Sequence, residues 1–142
     1  MTKAFIAGPL FNQAQLRMLE NIAFELEAVN IGTFLPHRDI GLLWADSKNI
    51  PSEAKTLEVF RRDYSAVLDC DAVVAWIDDS DTGTSIEIGI AYERDIPIFA
   101  LHTDPRPYVN PMMIGVCDEG RTIFSSIEAL VQAIKESSQK PA

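Results

Sequence analysis

The chain has little of what would crosslink it, anchor it or make it positive. Its 142 residues include two cysteines, two histidines and 12 lysines and arginines, against 21 aspartates and glutamates. Cys70 and Cys117 form no CxxC pair, which excludes a disulfide framework and fits a reduced, cytoplasmic protein. His37 and His102 lack metal-ligand spacing and read as surface or turn residues. A formal net charge of −9 disfavours nucleic acid and anionic membrane as partners, because both demand a basic surface. No apolar run approaches the ~20 residues that a membrane-crossing helix needs. The opening MTKAFIAGPLF has one lysine and stops early at Gly8-Pro9, so it reads as a first strand and not as a secretory signal.

What is present is a globular composition, 47% hydrophobic, in a length that suits one domain over 1–142. Leu16, Leu19, Ile22, Ala23, Leu26 and Val29 recur at helical spacing and predict a helix from about Asn12 to Val29. A second strand, IGTFLP, stops at Pro36, and residues 37–51 have the mixed polarity of a long loop. Pro51 or Ser52 opens a helix with Ala54, Leu57, Phe60, Tyr64 and Val67 on one predicted face. DAVVAWI is a continuous apolar strand of the kind buried on both faces. A helix from about Thr84 to Arg94, the strand IPIFAL, a looser stretch over 102–120, the short strand RTIF and a last helix from Ser125 or Ser126 complete the pattern. Alternating strands and helices predict an α/β fold, a flavodoxin-like three-layer sandwich around a mostly parallel five-stranded sheet. Such sheets bind ligands beyond the C-terminal ends of the strands, so three segments should converge there: Gly8 to Phe11, the loop after Leu35, and Asp78 to Glu87.

The third of these segments is crowded with carboxylates: Asp78, Asp79, Asp81 and Glu87. Glu87 has two readings. Thr84-Ser85-Ile86-Glu87 matches a capping box, with Thr84 as N-cap. Alternatively, Glu87 is a nucleophile or base at a helix N-terminus, held ionised by the dipole and free amides, with Gly83 admitting a ligand close to the backbone. A calcium loop fits poorly, since the twelfth position from Asp79 is Ile90 and no helix precedes the loop. Asp78 and Asp79 fit a solvated turn. Asp71 caps or turns the chain into its strand, and Asp63, after Arg61-Arg62, fits either a surface ion pair or a site. His37-Arg38-Asp39 lacks the rest of a kinase catalytic loop. Met112-Met113, beside Tyr108 and Asn110, reads as core or as a soft apolar wall for a planar base.

FIAGPLF near the start, an Asp eight residues before DAVVA, and DTGTSIEIGIA together resemble the nucleoside 2-deoxyribosyltransferase family over about Phe5 to Ile127. The resemblance implies an enzyme of nucleotide salvage that moves 2-deoxyribose between nucleobases. It implies Glu87 as the nucleophile that attacks C1' of a 2'-deoxynucleoside and Asp63 as proton donor to the leaving base. It also implies substrate contacts from Asp81 near the sugar 5' end and from Phe5, Gly8, Gly83 and Met112. Asn110 would reach the sugar from a neighbouring subunit. Phe5 stands where some members carry a Tyr that orients the nucleophile. Neither cofactor nor metal is implied. The implied partners are 2'-deoxynucleosides, free nucleobases and further copies of the chain, with sites at subunit interfaces. A related hydrolase, the 2'-deoxynucleoside 5'-monophosphate N-glycosidases, and a non-catalytic nucleotide-binding module are the alternatives. A carboxylate at Asp81 would repel the phosphate such a hydrolase binds.

Overall fold

The computed structural model describes residues 1–41 and 51–140. Five strands form one sheet: β1 (Lys3–Ala7), β2 (Gly32–Phe34), β3 (Ala72–Trp76), β4 (Ile98–Leu101) and β5 (Ile123–Phe124). Their order is β2-β1-β3-β4-β5 and every pairing is parallel. The chain leaves β1 toward β2 on one side and returns to β3 on the other. The crevice between the ends of β1 and β3 is therefore the topological switch point.

Two layers of helices cover the sheet. On one face α1 (Gln13–Glu27) and α6 (Ile127–Gln139) pack with Ala4, Ile6, Val74 and Leu101; the other face, with Phe5, Val73, Ala75 and Ala100, receives α3 (Glu53–Asp69) and α4 (Thr82–Glu93). Because both faces are covered, β1 from Ala4, β3 to Ala75 and all of β4 are buried, which explains their continuous apolar character. Asn12, Ser52 and Ser126 cap α1, α3 and α6 with side-chain oxygens that accept from the amides of Gln15, Lys55 and Ala129. Asp71 ties the start of β1 to the end of α3: its Oδ2 accepts from the backbone N–H of Thr2 at 2.8 Å and of Lys3 at 3.0 Å.

Four expectations change. The loop read over 37–51 begins with a short helix, α2 (Pro36–Asp39), started by proline at its first position, while residues 42–50 lie outside the described residues. The looser stretch over 102–120 contains α5 (Pro111–Val116), capped by Asn110, and a turn of 3-10 helix at Asp118–Gly120. Thr84 is not the N-cap of α4, which begins earlier, at Thr82. The face of α3 with Ala54, Leu57 and Phe60 is exposed instead of buried: Leu57 is 40% and Phe60 56% accessible. Ala66 and Val67 are the buried residues of α3.

Candidate active site

The crevice at the switch point holds a cavity of about 310 Å³. Gly8, Leu10 and Phe11 line it from the exit of β1, Pro36 and Ile40 from α2 and its end, and Gly41 from the residue beyond. Val59 and Asp63 enter from α3, and Asp81, Gly83 and Glu87 from the start of α4. The three segments predicted to converge do so, with α3 as a fourth wall. Gly8 is fixed by packing: a Cβ there would fall 2.5 Å from Cδ2 of the fully buried Leu19.

Asp81 does two things at once. It is the N-cap of α4, and its Oδ2 accepts from Thr84 N–H at 2.9 Å and from the Thr84 hydroxyl at 2.6 Å. Its Oδ1 carries no hydrogen bond among the described residues. Since Asp81 satisfies the helix terminus, Glu87 is released from any capping role. It sits beyond the first turn of α4, half-buried, with no hydrogen bond among the described residues. The expectation that free amides and the dipole hold Glu87 ionised therefore fails, because those groups act within about one turn of the helix end.

Burial instead dominates. It pushes the Glu87 carboxyl up to about 9, helped by the negative charges of Asp63 and Asp81. Burial alone pushes Asp63 up to about 6. Asp63 forms no ion pair with Arg61 or Arg62 among the described residues. Its Oδ1 is buried with no hydrogen-bond partner among the described residues. Two half-buried, coupled acids thus hold one proton between them across roughly pH 6 to 9. Such a pair can supply a nucleophile and a proton donor together, the requirement for breaking a glycosidic bond through a cationic sugar.

The other residues singled out in the sequence lie elsewhere. Phe5 is fully buried in the sheet, its ring stacked on Phe34 at 5.6 Å between centroids, and it does not line the cavity. Asn110 and Met112 open onto a separate cavity of about 690 Å³. From α4 that second cavity takes Thr84, Ser85, Ile88 and Gly89, a different face from the one that presents Gly83 and Glu87. Asn110 spends its side-chain oxygen on the Met112 amide at 2.9 Å, which leaves its NH2 free to donate. Asp78 lies in a bend, as read, and also accepts from the Thr103 amide at 2.7 Å and from the Thr103 hydroxyl, joining the exits of β3 and β4. Asp79 accepts from Gln15 Nε2 at 3.4 Å. Sequence reasoning missed Val59 as a cavity wall. For Val59 the signal was available, since Val59, Asp63, Ala66 and Val67 recur as one helical stripe with a carboxylate inside it.

An acidic, half-enclosed site for a small ligand at the switch point of a doubly wound parallel sheet is what fold and cavity define. The chain belongs to the nucleoside 2-deoxyribosyltransferase family, whose model matches residues 4–141. A conserved protein from Enterococcus faecalis V583 shares 28% identity with a TM-score of 0.79, over 96% of this chain and 99% of that one. A 2-deoxyribosyltransferase from Bacillus psychrosaccharolyticus shares the fold at 21% identity and a TM-score of 0.77, over 91% of this chain and 90% of that one. A CMP N-glycosidase from Clostridium botulinum shares it at 19% identity and a TM-score of 0.59, over 93% and 97%. No curated protein matches the chain in sequence. Family membership supports an enzyme that acts on nucleosides.

Proposed function

We propose that the protein transfers 2-deoxyribose from one nucleobase to another through a covalent deoxyribosyl-Glu87 intermediate. The observation that carries this reading is the pairing of Glu87, unbonded and facing a cavity, with a second buried carboxyl, Asp63, in the same walls. In the first half-reaction a Glu87 oxygen attacks C1' and the bond from C1' to the base nitrogen breaks. Its electron pair leaves with the base, which takes a proton by way of Asp63. In the second, a ring nitrogen of another base attacks C1', the bond to Glu87 breaks, and the proton of the incoming base returns to Asp63.

The resting protonation is the reverse of what attack requires, because the higher value belongs to Glu87. Substrate reverses it. Positive charge developing at C1' stabilises the Glu87 carboxylate, and the departing base draws the shared proton through Asp63. The free Oδ1 of Asp81 accepts a hydrogen bond from a 5'-hydroxyl and repels a 5'-phosphate, which favours nucleosides over their monophosphates.

Further copies of the chain complete this reading. Asn110 and Met112 do not reach the Glu87 cavity from within their own chain, so they serve the cavity of a neighbour. Large apolar side chains exposed on α3, α4 and α5 fit such contacts: Leu57, Phe60, Ile86, Tyr92, Met112 and Ile114. A reduced, cytoplasmic setting in one-domain form is part of the same proposal, in keeping with free, buried Cys70 and Cys117.

The test is incubation with deoxyinosine, with and without adenine. Deoxyadenosine formed only when adenine is present supports transfer. Free deoxyribose at the same rate in both would replace transfer by hydrolysis, and no turnover of any deoxynucleoside would remove both.

A further inference from the structure

The basic residues of this acidic chain are not scattered evenly. Arg38, Lys55, Arg106 and Arg121 each pair with carboxylates. Lys3, Arg61 and Arg62 pair with none among the described residues, and all three line one cavity of about 360 Å³. This cavity lies between α3 and the β1–β2 edge of the sheet, against Phe34, Ser65 and the Asp69 end of the helix. Three cations against one carboxylate, Asp69, leave the walls positive in a protein whose net charge is −9. Two other acids lie nearby and both are already engaged, Asp39 by Arg38 and the Leu35 amide and Asp71 by the amides of Thr2 and Lys3.

Two of these cations, Lys3 and Arg62, are also held in place. Lys3 Nζ stands 5.8 Å from the centroid of Phe34, whose ring is braced by Phe5 behind it. Arg62 Nη2 donates to the Asp39 carbonyl at 3.0 Å, and its remaining donors have no partner among the described residues. Arg61 makes no hydrogen bond at all among the described residues. The Ser65 hydroxyl adds a donor at the same wall.

We propose that this cavity binds the phosphate monoester of a small molecule, at a site separate from the Glu87 cavity. A carboxylate monoanion would occupy one guanidinium. A phosphate monoester is close to dianionic at neutral pH and offers three acceptor oxygens, which suits three cations. The Phe34 ring and the buried Ala66 give the remainder of the ligand an apolar wall, and the volume is that of a small organic molecule. The Glu87 cavity cannot take the same group, because Asp63, Asp81 and Glu87 face it. The two cavities share α3: Asp63 points into one, and its neighbours Arg61 and Arg62 into the other.

The test is calorimetric titration of the full chain at pH 7.5 and low salt, with inorganic phosphate in one arm and 2'-deoxyadenosine 5'-monophosphate in the other. No turnover is read, so the result does not depend on the role of Glu87. The wild type should bind the monoester more tightly than inorganic phosphate, and more weakly as salt is raised. The exposed pair Lys3→Ala with Arg61→Ala should weaken the monoester at least tenfold, with the circular dichroism spectrum unchanged. Asp63→Asn should leave it unaltered. Equal affinity for the two probes would overturn the monoester assignment. No binding at millimolar concentration would overturn the site. So would binding that survives the double substitution but tightens in Asp63→Asn, because the anion would then occupy the Glu87 cavity.

Discussion

Replacing Glu87 by Gln should stabilise the protein, by an amount that grows with pH. An ordinary glutamate titrates at 4.5, and Glu87 is pushed up to about 9. A carboxyl whose folded value is raised holds a proton in the native state that the unfolded chain has lost. Its stabilising contribution is full below pH 4.5 and is lost steadily as pH rises toward 9. Each unit in that interval is worth about 1.4 kcal/mol, so the ceiling at pH 7 is about 3 kcal/mol. Glu87 is half-buried, and water reaching it reduces this to about 1–3 kcal/mol. Gln has the shape of the protonated acid and no charge to bury, and α4 keeps its cap on Asp81. Urea denaturation of both proteins at pH 5, 6, 7 and 8 reads the difference directly. The Gln protein should match the wild type near pH 5 and exceed it increasingly by pH 8, while losing turnover. A difference independent of pH, or a less stable Gln protein at pH 7, would refute the account of Glu87 as a buried, protonated acid.

The same geometry makes three further predictions. Asp81→Ala should cost about 1 kcal/mol in urea denaturation through the lost cap, whereas Asp81→Asn, which still caps, should cost much less; equal losses would mean that the cap is not what Asp81 contributes. The pH profile of kcat/KM should be bell-shaped, with limbs near the values set for Asp63 and Glu87, about 6 and about 9; Asp63→Asn should remove the acid limb, and a flat wild-type profile would exclude the coupled pair. Ile86→Lys, on an exposed position of α4, should shift sedimentation toward a smaller species and lower activity together; a wild type that is monomeric and fully active at micromolar concentration would contradict sites shared between copies.

The layered fold was legible because its signals are dense and local. Ala72–Trp76 is an unbroken apolar run, as a strand covered on both faces must be, and α1 shows its buried stripe from Leu16 to Leu26. The start of α4 was misread because two capping patterns overlap. Thr84 with Glu87 fits a capping box, but Asp81 lies three residues before Thr84 and is itself a strong N-cap, and the earlier signal won. On α3 the predicted stripe held at Val67 and failed at Leu57 and Phe60. Leu57 and Phe60 outweighed the stripe of Val59, Asp63, Ala66 and Val67 because a carboxylate interrupts that stripe. The interruption is itself the mark of the site: an acid on the inner face of a helix is a group that burial will perturb. The second cavity was not legible, because it depends on α5 and on how the exits of β3 and β4 are tied through Asp78 and Thr103. Those are long-range contacts that no local pattern encodes.

The central claim is that Glu87 bonds to the sugar, and intact mass followed by peptide mapping tests it most directly. A 2'-deoxy-2'-fluoro-arabinosyl nucleoside forms its intermediate slowly and loses it more slowly still, because fluorine destabilises the cationic sugar that both steps pass through. After incubation the protein should gain the mass of one fluorinated sugar, located on Glu87, and the adduct should disappear when free adenine is added. An adduct on Asp63 or Asp81, or turnover that persists in Glu87→Gln, would contradict the account.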